Sequence, residues 1–343
     1  KKLLFFGIVV LCTGVFLGGW MHMFNPKLSV EPQDLSGKVC IVTGTSSGIG
    51  TETARHLYEW GCHVISANRN AEKTAKVHAA IEADAKKRGL TNVGKLEGRT
   101  LELSSFASVK KFAVSFLQSG LPLHILINNA GLVTNHYEET DDGFEQVLQV
   151  NYLSTVLLTR LLLPVLKATG TSASKARVVH VSSIFHMSVG MVTEDIDFDD
   201  LNGKHFDESF RWSPDMARYG QSKYLQIVFS QELNKQLQSE GANVLSNALH
   251  PGMMITQIIE AWPQPFLFCC QTFGPYMTRS IVEGSYTTLF VATHPSIQAG
   301  DIGGEYFDHA AVASPLESTK NTTRQKKLWV ASSKAVGLPV SLI

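Results

Sequence analysis

The stretch KVCIVTGTSSGIGTETARHLYEW, residues 38–60, decides the fold. It opens with KVCIVT, an apolar, β-branched run suited to a strand buried on both faces. It closes with IGTETARHLYEW, a helical segment ended by Gly61. Between them, TGTSSGIG places Gly44, Gly48 and Gly50 at the joint of strand and helix. Glycines there let the backbone turn tightly and approach an anion, which then rests on the helix N-terminus. A dinucleotide is the ligand that such a strand–glycine–helix joint suits.

Outward from this joint, strand-like and helix-like segments alternate. CHVISA is a second strand, and AEKTAKVHAAIEADAKKR is a helix with a basic last turn before Gly89. LHILIN (123–128) and RVVHVSS (177–183) are further apolar strands. The alternation predicts an α/β fold, a doubly wound parallel sheet of the Rossmann kind, over residues 36–343.

A different composition precedes it. Residues 3–24, LLFFGIVVLCTGVFLGGWMHMF, carry no Asp, Glu, Lys or Arg. At about 1.5 Å per residue they would cross the roughly 30 Å hydrocarbon layer, so a transmembrane helix is expected over 1–24. A signal peptide is the competing reading, but no small-x-small cleavage site follows. Residues 25–35 read as a linker. Lys1 and Lys2 lie on one flank of the span and Lys27 on the other, so charge does not settle orientation. The sequon NTT at Asn321 would be usable on a lumenal face.

Bulk composition excludes some classes. The 343 residues carry 30 Lys+Arg against 30 Asp+Glu, so no basic face for nucleic acid is expected. Twelve histidines form no HExxH-like cluster, and no catalytic metal is expected. Of five cysteines, Cys40 and Cys62 sit in apolar strand-like runs and are expected to be reduced core residues.

The chemistry gathers around YGQSK (219–223). On a helix, Tyr219 and Lys223 lie one turn apart on the same face. A neighbouring cation favours phenolate, which turns a phenol into a usable proton donor and acceptor. The TGxxxGIG spacing, NNAG (128–131), Asn151 in QVNYLST, VSS ending at Ser183, YGQSK, and HPGMMIT (250–256) occur in this order. Together they resemble the short-chain dehydrogenase/reductase family over roughly residues 36–310.

The resemblance implies the following roles. Ser183, Tyr219, Lys223 and Asn151 are catalytic: Tyr219 moves a proton on the substrate oxygen, and Ser183 hydrogen-bonds that oxygen. Lys223 lowers the phenol's pKa and holds the nicotinamide ribose, and Asn151 holds a relay water behind Lys223. Gly44, Ser46, Ser47, Gly48, Ile49 and Gly50 bind the cofactor phosphates. Asn129, Ala130 and Gly131 shape the adenine side, and Pro251, Gly252 and Thr256 line the nicotinamide. Glu102 stands where relatives usually place Asp against adenine.

Cofactor choice is read at the end of the second strand. Asn68 occupies the position where an NAD enzyme places an acid, and Arg69 follows it. Arginine suits a 2′-phosphate, which predicts NADP(H).

Among subfamilies, LELSSFASVKKFA, LQVNYLST, HPGMM and GGEYF resemble membrane-anchored retinol dehydrogenases and the oxidoreductase domain of the WW-domain-containing oxidoreductase. The resemblance implies a membrane-anchored enzyme of the endoplasmic reticulum or mitochondrial inner membrane. Its substrate would be a lipophilic, retinoid- or steroid-like alcohol, aldehyde or ketone. A homodimer, or association with a membrane complex, fits the same reading. Residues 260–277, with Trp262, Phe266 and Phe268, form the variable substrate loop. Thirty-six residues separate Ser183 from Tyr219, a long interval that weighs against a strict retinoid pocket.

Two other readings stay open. An accessory subunit of a larger complex would keep the fold without needing all of Ser183, Tyr219 and Lys223. Sugar-nucleotide epimerases share YxxxK but usually begin GxxGxxG, which GTSSGIG does not match.

Overall fold

A computed structural model describes residues 28–189, 196, 198, 200–203, 214–252, 254 and 279–342. The expected transmembrane segment (3–24), most of the 190–213 interval, Thr256 and the substrate loop lie outside the described residues.

The chain runs β1 (Val39–Thr43), α1 (Gly48–Glu59), β2 (His63–Asn68), α2 (Ala71–Lys87), β3 (Lys95–Thr100), α3 (Phe106–Gln118), β4 (Ile125–Asn128) and α4 (Gln146–Thr169). It continues through β5 (Ala176–Val181), α5 (Pro214–Ser239), β6 (Val244–His250), α6 (Ile281–Thr293), α7 (Pro295–Ala299), β7 (Tyr306–Asp308), β8 (Ala311–Ala313) and α8 (Thr322–Ala335). One eight-stranded sheet results, in the order β3-β2-β1-β4-β5-β6-β7-β8. All neighbours are parallel except β7 and β8.

Alternation along the strands divides the core. Ile41 points to a layer built by α3, α4, α5 and α8, with Phe112, Leu158, Phe229 and Trp329. Cys40 and Val42 point to the other layer, with Leu57 of α1, Ile81 of α2 and Leu289 of α6. Successive side chains on a strand face opposite ways, so both faces of the sheet are covered by helices. That is the doubly wound arrangement expected from the sequence.

Two expectations are modified. First, β8 is antiparallel, joined to β7 by a two-residue turn in which His309 (φ 55°) and Ala310 (φ 57°) are both left-handed. Such a turn matches the right-handed twist of a hairpin, which a parallel crossover of this length cannot make. Second, Cys40 and Cys62 are buried as expected but joined in a disulfide rather than reduced. Cys40 pairs with Val64, two residues beyond Cys62, so the two cysteines share one sheet face on adjacent chain segments. Their Cα atoms are 6.7 Å apart, within bridging range. Apart from these, among the described residues, which exclude the expected span 3–24, one helix is long and apolar enough to cross a membrane: α4, whose apolar stretch is 89% buried inside the fold. It is a core helix.

The strand order places the switch between β1 and β4, which leave the sheet centre toward opposite edges. The carboxyl ends of β1, β4, β5 and β6 lead directly into the glycine loop, NNAG, Ser182-Ser183 and Pro251-Gly252. Ligands in open α/β sheets bind in the crevice at this point.

Candidate active site

The glycine loop is packed from beneath by NNAG. Asn129 Nδ2 donates to the carbonyls of Thr43 (2.9 Å) and Gly44 (3.2 Å). The Thr43 hydroxyl accepts from the backbone N–H of both Asn129 and Ala130, each at 3.0 Å. The approach leaves no room for side chains on the loop. A Cβ at Gly44 would lie 2.8 Å from Ala130 Cα, and one at Gly50 would lie 2.2 Å from the Gly44 carbonyl oxygen.

Gly48 differs. Its φ is +62° and nothing lies within 4 Å of where a Cβ would be, so it opens onto the crevice with Ser46, Ser47 and Ile49 around it. Ser47, the first residue before α1, makes no side-chain cap, and the first turn holds no acid. The free N–H groups and the helix dipole there favour an anion. These features fit the pyrophosphate of a dinucleotide.

Asn68 does not face the crevice as a ribose ligand. It is buried: its Oδ1 accepts from Thr45 N (2.7 Å), and its Nδ2 donates to Thr45 Oγ1 (2.7 Å) and Thr74 Oγ1 (3.0 Å). It ties the glycine loop to β2 and α2. Arg69 is 80% exposed, and its Nε lies 3.6 Å from Glu102 Oε2. Glu102 Oε1 accepts from Ser104 N (3.1 Å) and Ser104 Oγ (2.9 Å). The acid at 102 therefore shapes its own turn and lies against Arg69.

On the other side of the crevice stand the four expected catalytic residues. Ser183, Tyr219 and Lys223 are 7%, 6% and 3% exposed, and Asn151 is fully buried. Ser183 follows β5 and accepts from Phe185 N (3.2 Å) at the start of a 3-10 turn, Ile184–Ser188. Tyr219 and Lys223 share a face of α5, with Nζ 5.6 Å from the phenol ring centre. The Phe185 ring meets the Tyr219 ring edge-on at 6.0 Å. Ser182 Oγ donates to the Lys223 carbonyl (2.7 Å), fastening α5 to the end of β5. A Cβ at Gly131 would crowd the site, standing 3.1 Å from Lys223 Nζ and 3.4 Å from Asn151 Oδ1, so a side chain there would press on the lysine. Gly252, with φ +97°, packs its backbone on Arg279 beside the buried Pro251.

Burial sets the electrostatics of the chain's own groups. Burial pushes the Tyr219 phenol up to about 12, and a hydrogen bond with Ser183 draws it only partly back. Burial drives the Lys223 ammonium down to about 7. Each buried charge is disfavoured, and the lysine alone does not bring the phenol near neutrality.

Asn151 is committed more fully than expected. It sits in a π-helical turn, Gln149–Leu153, that opens α4 beyond its first turn. Its Oδ1 accepts from Leu132 N (2.8 Å), and its Nδ2 donates to Leu132 O (2.9 Å) and Ser222 Oγ (3.0 Å). Sequence reading missed Thr43, Thr45 and Gln226. The two threonines flank the first glycine of the loop, and that position was the only signal for them. Gln226 lies one turn beyond Lys223 on α5, a spacing that could have found it.

A family model described as short chain dehydrogenase matches residues 38–192. Polyprenol dehydrogenase from Mus musculus is 36% identical over 92% of this chain and 87% of its own. WW domain-containing oxidoreductase from Gallus gallus is 35% identical over 90% of this chain and 70% of its own. A solved structure of an uncharacterized protein from Mycobacterium paratuberculosis superposes with a TM-score of 0.66 at 27% identity, covering 93% of this chain and all of that one. With motifs, strand order and site geometry in agreement, the chain belongs to the short-chain dehydrogenase family and is an oxidoreductase of that family.

Proposed function

We propose that the chain is a membrane-anchored, NADP(H)-dependent oxidoreductase that interconverts a long isoprenoid alcohol and its carbonyl form. The observation that carries the reading is the convergence of Ser183, Tyr219 and Lys223 at the carboxyl edge of the sheet, facing the uncapped start of α1. The identity to polyprenol dehydrogenase over most of the chain supports an isoprenoid substrate in place of the retinoid- or steroid-like one expected from sequence. The apolar segment 3–24 supports insertion into a membrane, either endoplasmic reticulum or mitochondrial inner membrane.

Hydride exchange with the substrate carbon is the chemistry that a nicotinamide supplies when bound. The chain's own residues do the rest. Tyr219 gives or takes the proton on the substrate oxygen. Ser183, fixed by Phe185 N, donates to that oxygen where charge develops. Lys223 keeps a positive charge beside the phenol. The residues that would hold the cofactor are Ser46, Ser47, Gly48 and Ile49 at its phosphates, Arg69 at a 2′-phosphate, and Lys223 at a ribose.

The test is turnover of farnesol and a longer polyprenol by the full chain in detergent, with NADP⁺ and NAD⁺, for the parent and Tyr219→Phe. Removing a positioned acid–base group costs about 10²–10⁴-fold in turnover. Equal turnover by Tyr219→Phe refutes the proposed chemistry. Preference for NAD⁺ refutes the cofactor assignment.

A further inference from the structure

Lys223 Nζ donates to the Val181 carbonyl (2.8 Å) and to Gln226 Oε1 (3.4 Å). The same carboxamide, fully buried, donates from Nε2 to the Asn151 main-chain carbonyl at 2.6 Å. Gln226 thus links the lysine to the main chain of Asn151. The Asn151 side chain has no N–H left to offer, since both are taken by Leu132 O and Ser222 Oγ.

We infer that Gln226 is a positioning residue for the proposed chemistry: its amide holds the inner side of Lys223 and ties it to the main chain of Asn151. The inference rests on the function proposed above. A carboxamide is a fixed dipole with one acceptor and one donor end, and both ends are occupied here. It favours the charged ammonium through Oε1.

The surroundings make Gln226 count. Titratable groups facing Lys223 among the described residues are Tyr219 on its own helix and His180 on β5. Burial and the lysine's charge drive His180 down to about 3, so it stays neutral. α4 offers Asn151, and the NNAG loop offers Gly131, neither of which titrates. With no carboxylate among these neighbours, the two carbonyl oxygens from Val181 and Gln226 are what stabilise the ammonium.

The primary test needs neither substrate nor cofactor. The full chain in detergent, labelled with ¹³C at lysine Cε, is titrated by NMR, and the Lys223 signal is assigned by its loss in Lys223→Met. In Gln226→Met, which keeps the length but has no acceptor, the Lys223 midpoint should fall by about one pH unit, a tenfold change. Gln226→Asn, one methylene short, should move it the same way by less, and it serves where the Met variant does not fold. Turnover of farnesol with NADP⁺ is then read against pH. The midpoint for alcohol oxidation should rise in both variants, with KM for farnesol within about twofold. A folded variant whose Lys223 midpoint matches the parent overturns the inference, as does lower turnover with an unmoved pH profile. Unchanged turnover in Tyr219→Phe overturns the function beneath it instead.

Discussion

Arg69 offers the sharpest test of cofactor choice. Its guanidinium is 80% exposed and 3.6 Å from Glu102, a pair of the kind that contributes ~0–1 kcal/mol and is easily given up. A hydrogen bond to a charged group contributes about 1.5–3 kcal/mol net, and solvent around so exposed a side chain puts the 2′-phosphate contact near the lower end. At about 1.4 kcal/mol per decade, Arg69→Ala should weaken NADPH binding roughly 10–30-fold. NADH lacks the phosphate and should change by less than about twofold. Glu102→Gln keeps an oxygen for Ser104 but removes the competing charge, so NADPH should bind about two- to threefold tighter. Titration calorimetry on the full chain at fixed pH reads both cofactors, and the NADPH effect should shrink as salt is raised. Equal losses for NADH and NADPH in Arg69→Ala would show that Arg69 reads no phosphate.

The other predictions concern the walls of the same crevice. Asn68→Asp should not convert the enzyme to NADH. The Nδ2 donors to Thr45 and Thr74 would be lost and the glycine loop loosened, so affinity for both cofactors should drop, measurable in the same calorimeter. Gly131→Ala places a methyl 3.1 Å from Lys223 Nζ, and the displaced lysine should lower turnover about tenfold with little change in melting temperature. The buried lysine also makes stability depend on pH. Its folded midpoint, about 7, lies below the ordinary lysine value of 10.5, so the unfolded chain holds more protons between them and stability rises with pH across that window. Urea unfolding at pH 7 and 10 should show the parent gaining relative to Lys223→Met; parallel curves would refute the depressed lysine.

Much of this was written in local pattern. The buried strands β1, β4 and β5 are continuous apolar runs, and the glycines that allow close backbone approach are visible as letters. The edge was harder to read. β3, KLEGRT, is polar with no fully buried residue, and it is a strand because β2 offers it a ladder from His63 to Asn68. β8 exists through a left-handed turn at His309 and Ala310, residues that do not announce one. In the site, residue identities were legible but commitments were not. Asn68 was read only as the place where an NAD enzyme has an acid, and neither its contacts nor those of Glu102 could be read, because the neighbours that engage their polar atoms come together only in the folded chain. The Cys40–Cys62 link was likewise hidden, because it depends on the register between two strands.

The way the chain enters the sheet bears on how a lipid would be met. Leu35 N donates to Trp60 O just past the end of α1, whose opposite end faces the glycine loop. Twelve residues of helix put those two ends about 18 Å apart. A leash rising from a bilayer would therefore arrive at the far pole of the domain, with the catalytic mouth turned toward water. The ten or so residues before Leu35 reach at most about 33–36 Å when extended. That is slack enough for the domain to roll onto its flank and lower its mouth to the headgroups. In such an arrangement, leash length governs which alcohols are within grasp: those dissolved in the bilayer depend on it, and those dissolved in water do not.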